Sequence, residues 1–579
     1  MWQKILAAAK RPYWDRPDPS WRVRRWPDLF AFCIANFFFW LSLTPSLVPR
    51  PWLLQGVIGG ITAAIGYGLG AVLSWFFRRV LAWRDWQPSE QARARGWQVC
   101  LVLTPVMAGW LISESAHMQR ELRELQSLPP SMAWHTPMIA LIALAVCALL
   151  VVIARSIRLG TGKLIHWLGR MLPRPLAVGT GLVLSAILVT IGLRDVVFDR
   201  GVIDVADSIA AKTDASTKDG ITQSGSRYVS GSPDSLIPWD DLGFQGRNFT
   251  GSVPTKRQLE RVTGAPAKDP VRVYVSSAHP EAFSDDSRDE PFRAQARLAV
   301  RELQRTGAFD RQVLAIAGTT GTGWVNSTVA EPLEYMYGGD TAFVAIQYSY
   351  LPSWVSFLVD KEKAGQATKA LVTAVRKHLD TLPADKRPKL VVTGESLGAY
   401  AMEATFGTAE KLVAETDGAL LLGPPNFGPI STEVRRDRDQ GSPVWRPEFD
   451  EGRHLRWAQF PEKDFKRLKG PWRNPRVAYL QNASDPVVWW SYDLALQRPE
   501  WVDHPLGPDI TPEVNWFPFV TFWQTSVDMA VSYGVPAPHG HRYGTGPVEG
   551  WAEVVPPKGW STEDTERLKK FFDKREAPY

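Results

Sequence analysis

The chain has 579 residues, long enough for more than one domain, with 45% hydrophobic residues, three cysteines and a formal net charge of +6. Three cysteines in such a length exclude a disulfide-built scaffold and a Cys-based metal site. The excess positive charge sits in loops flanking apolar segments, so it points to anionic lipid headgroups and not to nucleic acid.

The first 28 residues form a basic tail (Lys4, Lys10, Arg11, Arg16, Arg22, Arg24, Arg25). Five apolar runs follow over 29–193: Leu29 to Val48, Leu53 to Phe77, Trp97 to Ile112, Met138 to Ala154 and Leu176 to Leu193. None contains Asp, Glu, Lys or Arg, and each predicts a bilayer-spanning helix, the third and fourth at the short end. Trp26, Trp40, Trp52, Trp75, Trp97 and Trp110 lie near their ends, as interfacial aromatics do. A cleavable signal peptide fits worse than a first span, because four more apolar runs follow. Gly56-x-x-x-Gly60 and Gly66-x-x-x-Gly70 in the second run predict close helix packing. Basic connections (the tail, Arg78 to Arg95, Arg155 to Arg174) alternate with less basic ones, which places the amino terminus in the cytoplasm. After five spans, everything that follows lies outside it.

From Arg194 to about Ser230 the composition turns to Asp, Ser, Thr and Gly, a linker (194–230) with a helical start over Val202 to Ala211. Beyond it, over 231–579, short apolar strands alternate with helices. Strands are expected at Val271–Ser276, Val313–Ala317, Ala342–Gln347, Leu390–Thr393, Gly418–Leu422 and Val477–Gln481, with helices around Ala294–Arg305 and Lys361–Asp380. That alternation predicts a mostly parallel sheet covered by helices, with the active site at the carboxyl ends of the strands. The acidic stretch Ser284 to Glu290, with Asp285 and Asp286, lacks the ligand spacing of a Ca²⁺ loop and reads as a solvated turn.

Gly394-Glu395-Ser396-Leu397-Gly398 stands between the strand Lys389–Thr393 and a helix beginning at Ala399. Strand, G-x-S-x-G, helix is a nucleophile elbow, in which a sharp turn lifts the serine hydroxyl to the top of the sheet. The order Ser, Asp, His is completed by Asp485, just past a strand in Ala483-Ser484-Asp485-Pro486, and by His541 in the turn-rich loop Val535 to Tyr543. His539, two residues earlier, is the alternative base. One oxyanion donor is the N–H of Leu397; the other comes from Thr319 or Thr320 in the glycine-rich loop Gly318 to Trp324. That loop is not a phosphate cradle, because Trp324 and Val325 occupy the Lys and Ser/Thr positions a P-loop requires. The chemistry calls for no metal and no cofactor.

The chain resembles the membrane-anchored α/β-hydrolases of bacteria grouped as the ninth α/β-hydrolase family. The resemblance rests on Thr44-Pro45-Ser46-Leu47-Val48-Pro49-Arg50, Gly246-Arg247-Asn248-Phe249, Gly394 to Gly398 and Gly540-His541-Arg542-Tyr543. It implies a transmembrane helical bundle followed by an α/β-hydrolase domain in the bacterial plasma membrane. It further implies an esterase- or lipase-type serine hydrolase with Ser396, Asp485 and His541 as triad. Three functions are consistent with the residues: hydrolysis of a lipid or acylated envelope ester, acyl transfer by the same triad to an alcohol, and a non-catalytic membrane platform carrying a degenerate hydrolase domain. The tryptophans of the second half (Trp489, Trp490, Trp501, Trp516, Trp523) suit an apolar acyl partner.

Overall fold

The computed structural model describes residues 28–84, 89–132, 135–195, 212–277, 279 and 292–575. The basic tail before Asp28, the expected helix Val202 to Ala211 and the acidic stretch Ser284 to Glu290 lie outside the described residues. The chain forms two compact units. One comprises Met1–Gly201 with Tyr492–Val502 and Ile510–Val531; the other comprises Val202–Ser491, Asp503–Asp509 and Ser532–Tyr579.

The first unit holds five apolar helices: α1 Leu29–Ser42, α2 Trp52–Trp83, α3 Glu90–Leu125, α4 His135–Leu168 and α5 Arg174–Ile191. Among the described residues, four stretches are long and apolar enough to cross a bilayer: Trp52–Leu81, Ala94–Leu125, Pro137–Leu168 and Arg174–Asp195. The first expected span needs correction. α1 starts at Asp28, whose carboxylate accepts from the Ala31 N–H at 3.1 Å, and stops after 14 residues. At 1.5 Å per residue it is about 21 Å long, short of a hydrocarbon core of about 30 Å. Pro45, Pro49 and Pro51 supply no N–H and stop the apolar run Leu43 to Val48 from continuing as helix. The weakly apolar third run is instead the longest helix, 36 residues, because helix formers such as Gln119, Arg120, Glu121 and Leu122 carry it past the apolar stretch. In α2, side chains at Gly56 and Gly60 would collide with Ile142 and Val146 of α4, and side chains at Gly66 and Gly70 with α1.

The second unit is built on one sheet: β1 Val271–Val275, β2 Val313–Gly318, β3 Thr341–Ile346, β4 Lys389–Glu395, β5 Gly418–Leu422, β6 Leu455–Ala458 and β7 Arg476–Leu480. All pairings are parallel and the order is β1-β3-β2-β4-β5-β7-β6. From β1 to β5 every strand residue but Lys389 is buried, as both-face helix cover requires. β4 lies between β2 and β5, where the strand order reverses, and the cleft outside the carboxyl ends is the place for a site. Part of the expected linker folds onto this unit: Val229 bridges to Arg272, and Arg247 donates to the carbonyls of Ser216 (2.6 Å) and Asp240 (3.2 Å).

The first unit also contains α7, Val520–Val531, α6 being the helix Leu397–Phe406 that follows β4 in the second. The proline-rich loop after α1 packs with α7, and side chains satisfy its carbonyls. Gln55 donates to Ser42 (2.8 Å), Ser115 to Leu43 (2.7 Å), Gln524 to Thr44 (3.0 Å) and Gln126 to Leu47 (2.7 Å). Asp528 accepts from the Leu47 N–H at 3.1 Å, and its carboxylate lies 3.6 Å from Arg50 Nε, both side chains fully buried. An irregular segment among apolar helices is tolerated because its backbone is satisfied in this way.

Candidate active site

The elbow follows from close backbone approach. β2 and β4 pair with Gly318 opposite Gly394, and Gly398 at the start of α6 packs on both. A methyl group at Gly318, Gly394 or Gly398 would overlap backbone atoms of this crossing. Between the two motif glycines, Ser396 takes φ 57° and ψ −123°, a conformation a side chain rarely adopts. Its N–H donates to the Leu422 carbonyl (2.9 Å) at the end of β5, its carbonyl accepts from Tyr400 (3.1 Å), and the residue is 9% exposed.

Asp485 and His541 meet at those strand ends. His541 Nδ1 lies 2.5 Å from Asp485 Oδ2, so the ring carries its proton on Nδ1 in this pair. Asp485 also accepts from the Tyr543 hydroxyl at Oδ2 and from the Val487 N–H at Oδ1 (2.9 Å). His541 is 1% exposed, and its Nε2 is buried without a hydrogen-bond partner among the described residues. Gly423, the residue after the Leu422 that holds Ser396, lies so close that a methyl group there would contact His541 Cε1 and Asp485 Oδ2. Ser396, Asp485 and His541 are therefore gathered around the ends of β4, β5 and β7. Burial works against a charged imidazole, but the Asp485 charge and hydrogen bond outweigh it, Glu395 adds to them, and the His541 pKa is raised.

His539 is engaged elsewhere. Its Nδ1 lies 3.0 Å from Asp509, which also accepts from Ser484 Oγ at 2.5 Å. Ser484 in turn accepts from the Gly540 N–H (2.8 Å), and Asn482 donates to the carbonyls of Gly540 and Arg542 (2.9 and 2.8 Å). The residues flanking Asp485 thus brace the loop that carries His541.

Two more groups crowd the histidine. The Glu395 carboxylate, 5% exposed, accepts from Asn326 Nδ2 (2.6 Å) and the Tyr533 hydroxyl (3.3 Å). The Tyr533 ring stands edge-on to His541, centroids 5.2 Å apart. None of Glu395, Asn326, Tyr533, Tyr543 and Asp509 is picked out by the sequence reading. Glu395 carried a signal, as an acid inside a buried elbow, and Tyr543 stands in the Gly540 to Tyr543 motif beside His541, whereas Asn326, Tyr533 and Asp509 carried none that tied them to the elbow.

In the glycine-rich loop, Thr319 Oγ1 donates to Ile346 (2.9 Å) and the Thr320 N–H to the Trp324 carbonyl (3.2 Å). Leu397, immediately after Ser396, is the first residue of α6, where N–H groups lack intrahelical partners. Among the described residues no group of three or more His, Cys, Asp or Glu side chains is placed to hold a metal ion.

Residues 43–254 match the family described as Alpha/beta-hydrolase family N-terminus, and residues 271–568 match the Alpha/beta-hydrolase family. No curated protein matches the sequence. Among solved structures, an acetylxylan esterase determined at 0.90 Å aligns with 14% identity and a TM-score of 0.18, over 31% of this chain and 84% of its own. Since the second family match runs from the first residue of β1 into the C-terminal helix and takes in more than half of the sequence, the chain belongs to the alpha/beta-hydrolase family.

Proposed function

We propose that this hydrolase is a membrane-tethered serine esterase acting on a lipid or acylated envelope ester through an acyl-enzyme. The observation that carries the reading is the His541–Asp485 pair: Nδ1 is committed to the carboxylate, and Nε2 is buried, without a hydrogen-bond partner among the described residues, at the strand ends that hold Ser396. Ser396 Oγ attacks the ester carbonyl while His541 Nε2 takes its proton, and Asp485 stabilises the imidazolium. The Leu397 and Thr319 N–H groups hold the oxyanion; the Thr320 N–H already serves the loop. His541 then protonates the departing alcohol oxygen, leaving the acyl group on Ser396. Water, deprotonated by His541, attacks this ester, and the proton returns to Ser396 as the acid leaves.

An apolar acyl part is supported by a chain of rings in the same unit. Tyr400, one helical turn beyond Ser396, packs on Phe427 (4.9 Å), Phe427 on Phe357 (5.0 Å), and Phe357 on Trp490 (5.4 Å). The four long apolar helices support a membrane location, and the plasma membrane is the one that the family resemblance implies. Counting forward from the basic fourth connection, Arg155 to Arg174, across α5 supports a catalytic unit outside the cytoplasm, and the basic tail agrees with that orientation when all five runs cross. The test is fluorophosphonate labelling of the detergent-solubilised chain. Wild type should label and Ser396→Ala should not; labelling that persists in Ser396→Ala sinks the reading. Ester formation in the presence of added alcohol would favour the transferase alternative.

A further inference from the structure

Glu395 is the middle residue of Gly394-Glu395-Ser396, and the proposed reaction gives it no task. It ends the central strand as a buried carboxylate, and no Lys or Arg pairs with it among the described residues. A buried carboxylate without a cation is costly, so what compensates it is informative. Asn326 cannot turn its amide over, because Asn326 Oδ1 already accepts from the Thr328 N–H (2.9 Å) and hydroxyl (2.7 Å). The Asn326 NH₂ therefore faces Glu395 as a donor, and the Glu395 oxygen that it meets accepts. The other oxygen takes the hydroxyl of Tyr533, whose ring lies edge-on to His541 at 86°. The cationic form of His541 is the charge that remains to balance it.

His541 is faced from four directions: by Asp485 after β7, by Tyr543 on its own loop, by Tyr533 after α7, and by Glu395 at the end of β4. We propose that Glu395 is a second positioning residue for His541, supporting the imidazolium from the side through its charge and through Tyr533 while Asp485 supports it end-on. The proposal rests on the serine-hydrolase reading, in which His541 must gain and lose a proton in every turnover. A lateral carboxylate strengthens the base in the step that activates Ser396. It also keeps the ring against Tyr533 when the proton is on Nε2. Burial, the largest cause, leaves the Glu395 pKa raised, and the nearby His541 charge and the two donors lessen that rise without cancelling it.

Glu395→Gln is a clean charge deletion here. The Gln carbonyl can accept from Asn326 and its NH₂ can donate to the Tyr533 oxygen, which keeps the hydrogen bonds and removes only the charge. The experiment measures the second-order rate of fluorophosphonate labelling against pH for wild type, Glu395→Gln and Ser396→Ala. The acid limb of Glu395→Gln should move about one unit to lower pH, the low end of the shift a neighbouring charge produces. One unit below the wild-type midpoint, labelling relative to its own plateau should then rise about fivefold by the same shift. Glu395→Met, which deletes the charge with different packing, should move the limb in the same direction, and serves if the Gln variant does not fold. An acid limb that stays in place or moves upward overturns the proposal, whatever happens to the plateau. A Ser396→Ala chain that still labels overturns the hydrolase reading itself, so the two failures are distinguishable.

Discussion

Asp485→Asn is the most searching perturbation of the site. Asp485 is fully buried and accepts three hydrogen bonds, two at Oδ2 from His541 and Tyr543 and one at Oδ1 from the Val487 N–H. An Asn side chain has one oxygen for these three donors. With its NH₂ toward His541, the ring must accept at Nδ1 and carry its proton on Nε2, where it can no longer act as a base. With its oxygen toward His541, the NH₂ meets the Val487 N–H head-on and the imidazolium loses its counter-charge. Both arrangements weaken the transition state, and the expected fall in kcat is about 10⁴-fold, by analogy with serine-protease triads. That loss corresponds to about 5.4 kcal/mol at about 1.36 kcal/mol per decade. Tyr543→Phe removes one donor and keeps the charge, so it should cost only about 1 kcal/mol, near tenfold or less. The assay is hydrolysis of a chromogenic ester in detergent, with active sites counted by fluorophosphonate titration. An Asp485→Asn enzyme within tenfold of wild type would refute the assignment of Asp485.

His541→Ala should be as severe as Asp485→Asn, whereas His539→Ala, which loses only the Asp509 brace, should retain most of the ester hydrolysis; the reverse pattern would exchange the two histidines. Because the His541 pKa is raised above the ordinary 6.5, the acid limb of kcat/KM should lie above pH 6.5, read from a pH–rate profile. By the same sign, the pair's contribution to stability is complete below about pH 6.5 and is lost as pH rises through the raised value, which thermal unfolding against pH would register. A reporter active only outside the cytoplasm should work after Tyr579 and fail within Arg155 to Arg174, and the opposite pattern would reverse the orientation. Arg50→Met leaves Asp528 buried without its cation and should destabilise the first unit by about 3–5 kcal/mol, while Arg50→Met with Asp528→Leu should recover most of that loss.

The sheet was legible because its strands are short, largely apolar runs bounded by turn residues, and six of the seven announce themselves in that way, β1 despite the buried Arg272 inside it. β6 does not. It is four residues long and contains Arg456, whose guanidinium is buried against the carbonyls of Gly452 (3.0 Å) and Gly470 (2.6 Å). Hydropathy cannot anticipate a charge solvated by backbone. The length of α1 was misread for a related reason: Leu43 to Val48 is as apolar as a helix, but the prolines around it forbid the hydrogen-bond ladder. Ser396, Asp485 and His541 could be picked out because local turns set their positions in a fixed chain order. Glu395, Asn326, Tyr533 and Asp509 could not, because their partners become neighbours only when β4, β7 and the loop after α7 converge. The Thr44 to Arg50 stretch signalled that something mattered there without saying what, since Asp528 is 478 positions away from Arg50.

That loop has a practical consequence for anyone dividing the protein. A chain cut to begin at residue 212 would keep all seven strands, Ser396, Asp485 and His541. It would nevertheless carry α7 with Gln524 and Asp528 stripped of the Thr44 to Arg50 backbone that they bind. The complementary fragment would keep its apolar helices but offer Arg50 no carboxylate. Neither piece is a self-contained folding unit, so the seam between them is a poor place for a soluble truncation. It is a natural place for split-protein complementation, in which two separately inert fragments regain activity only when made together.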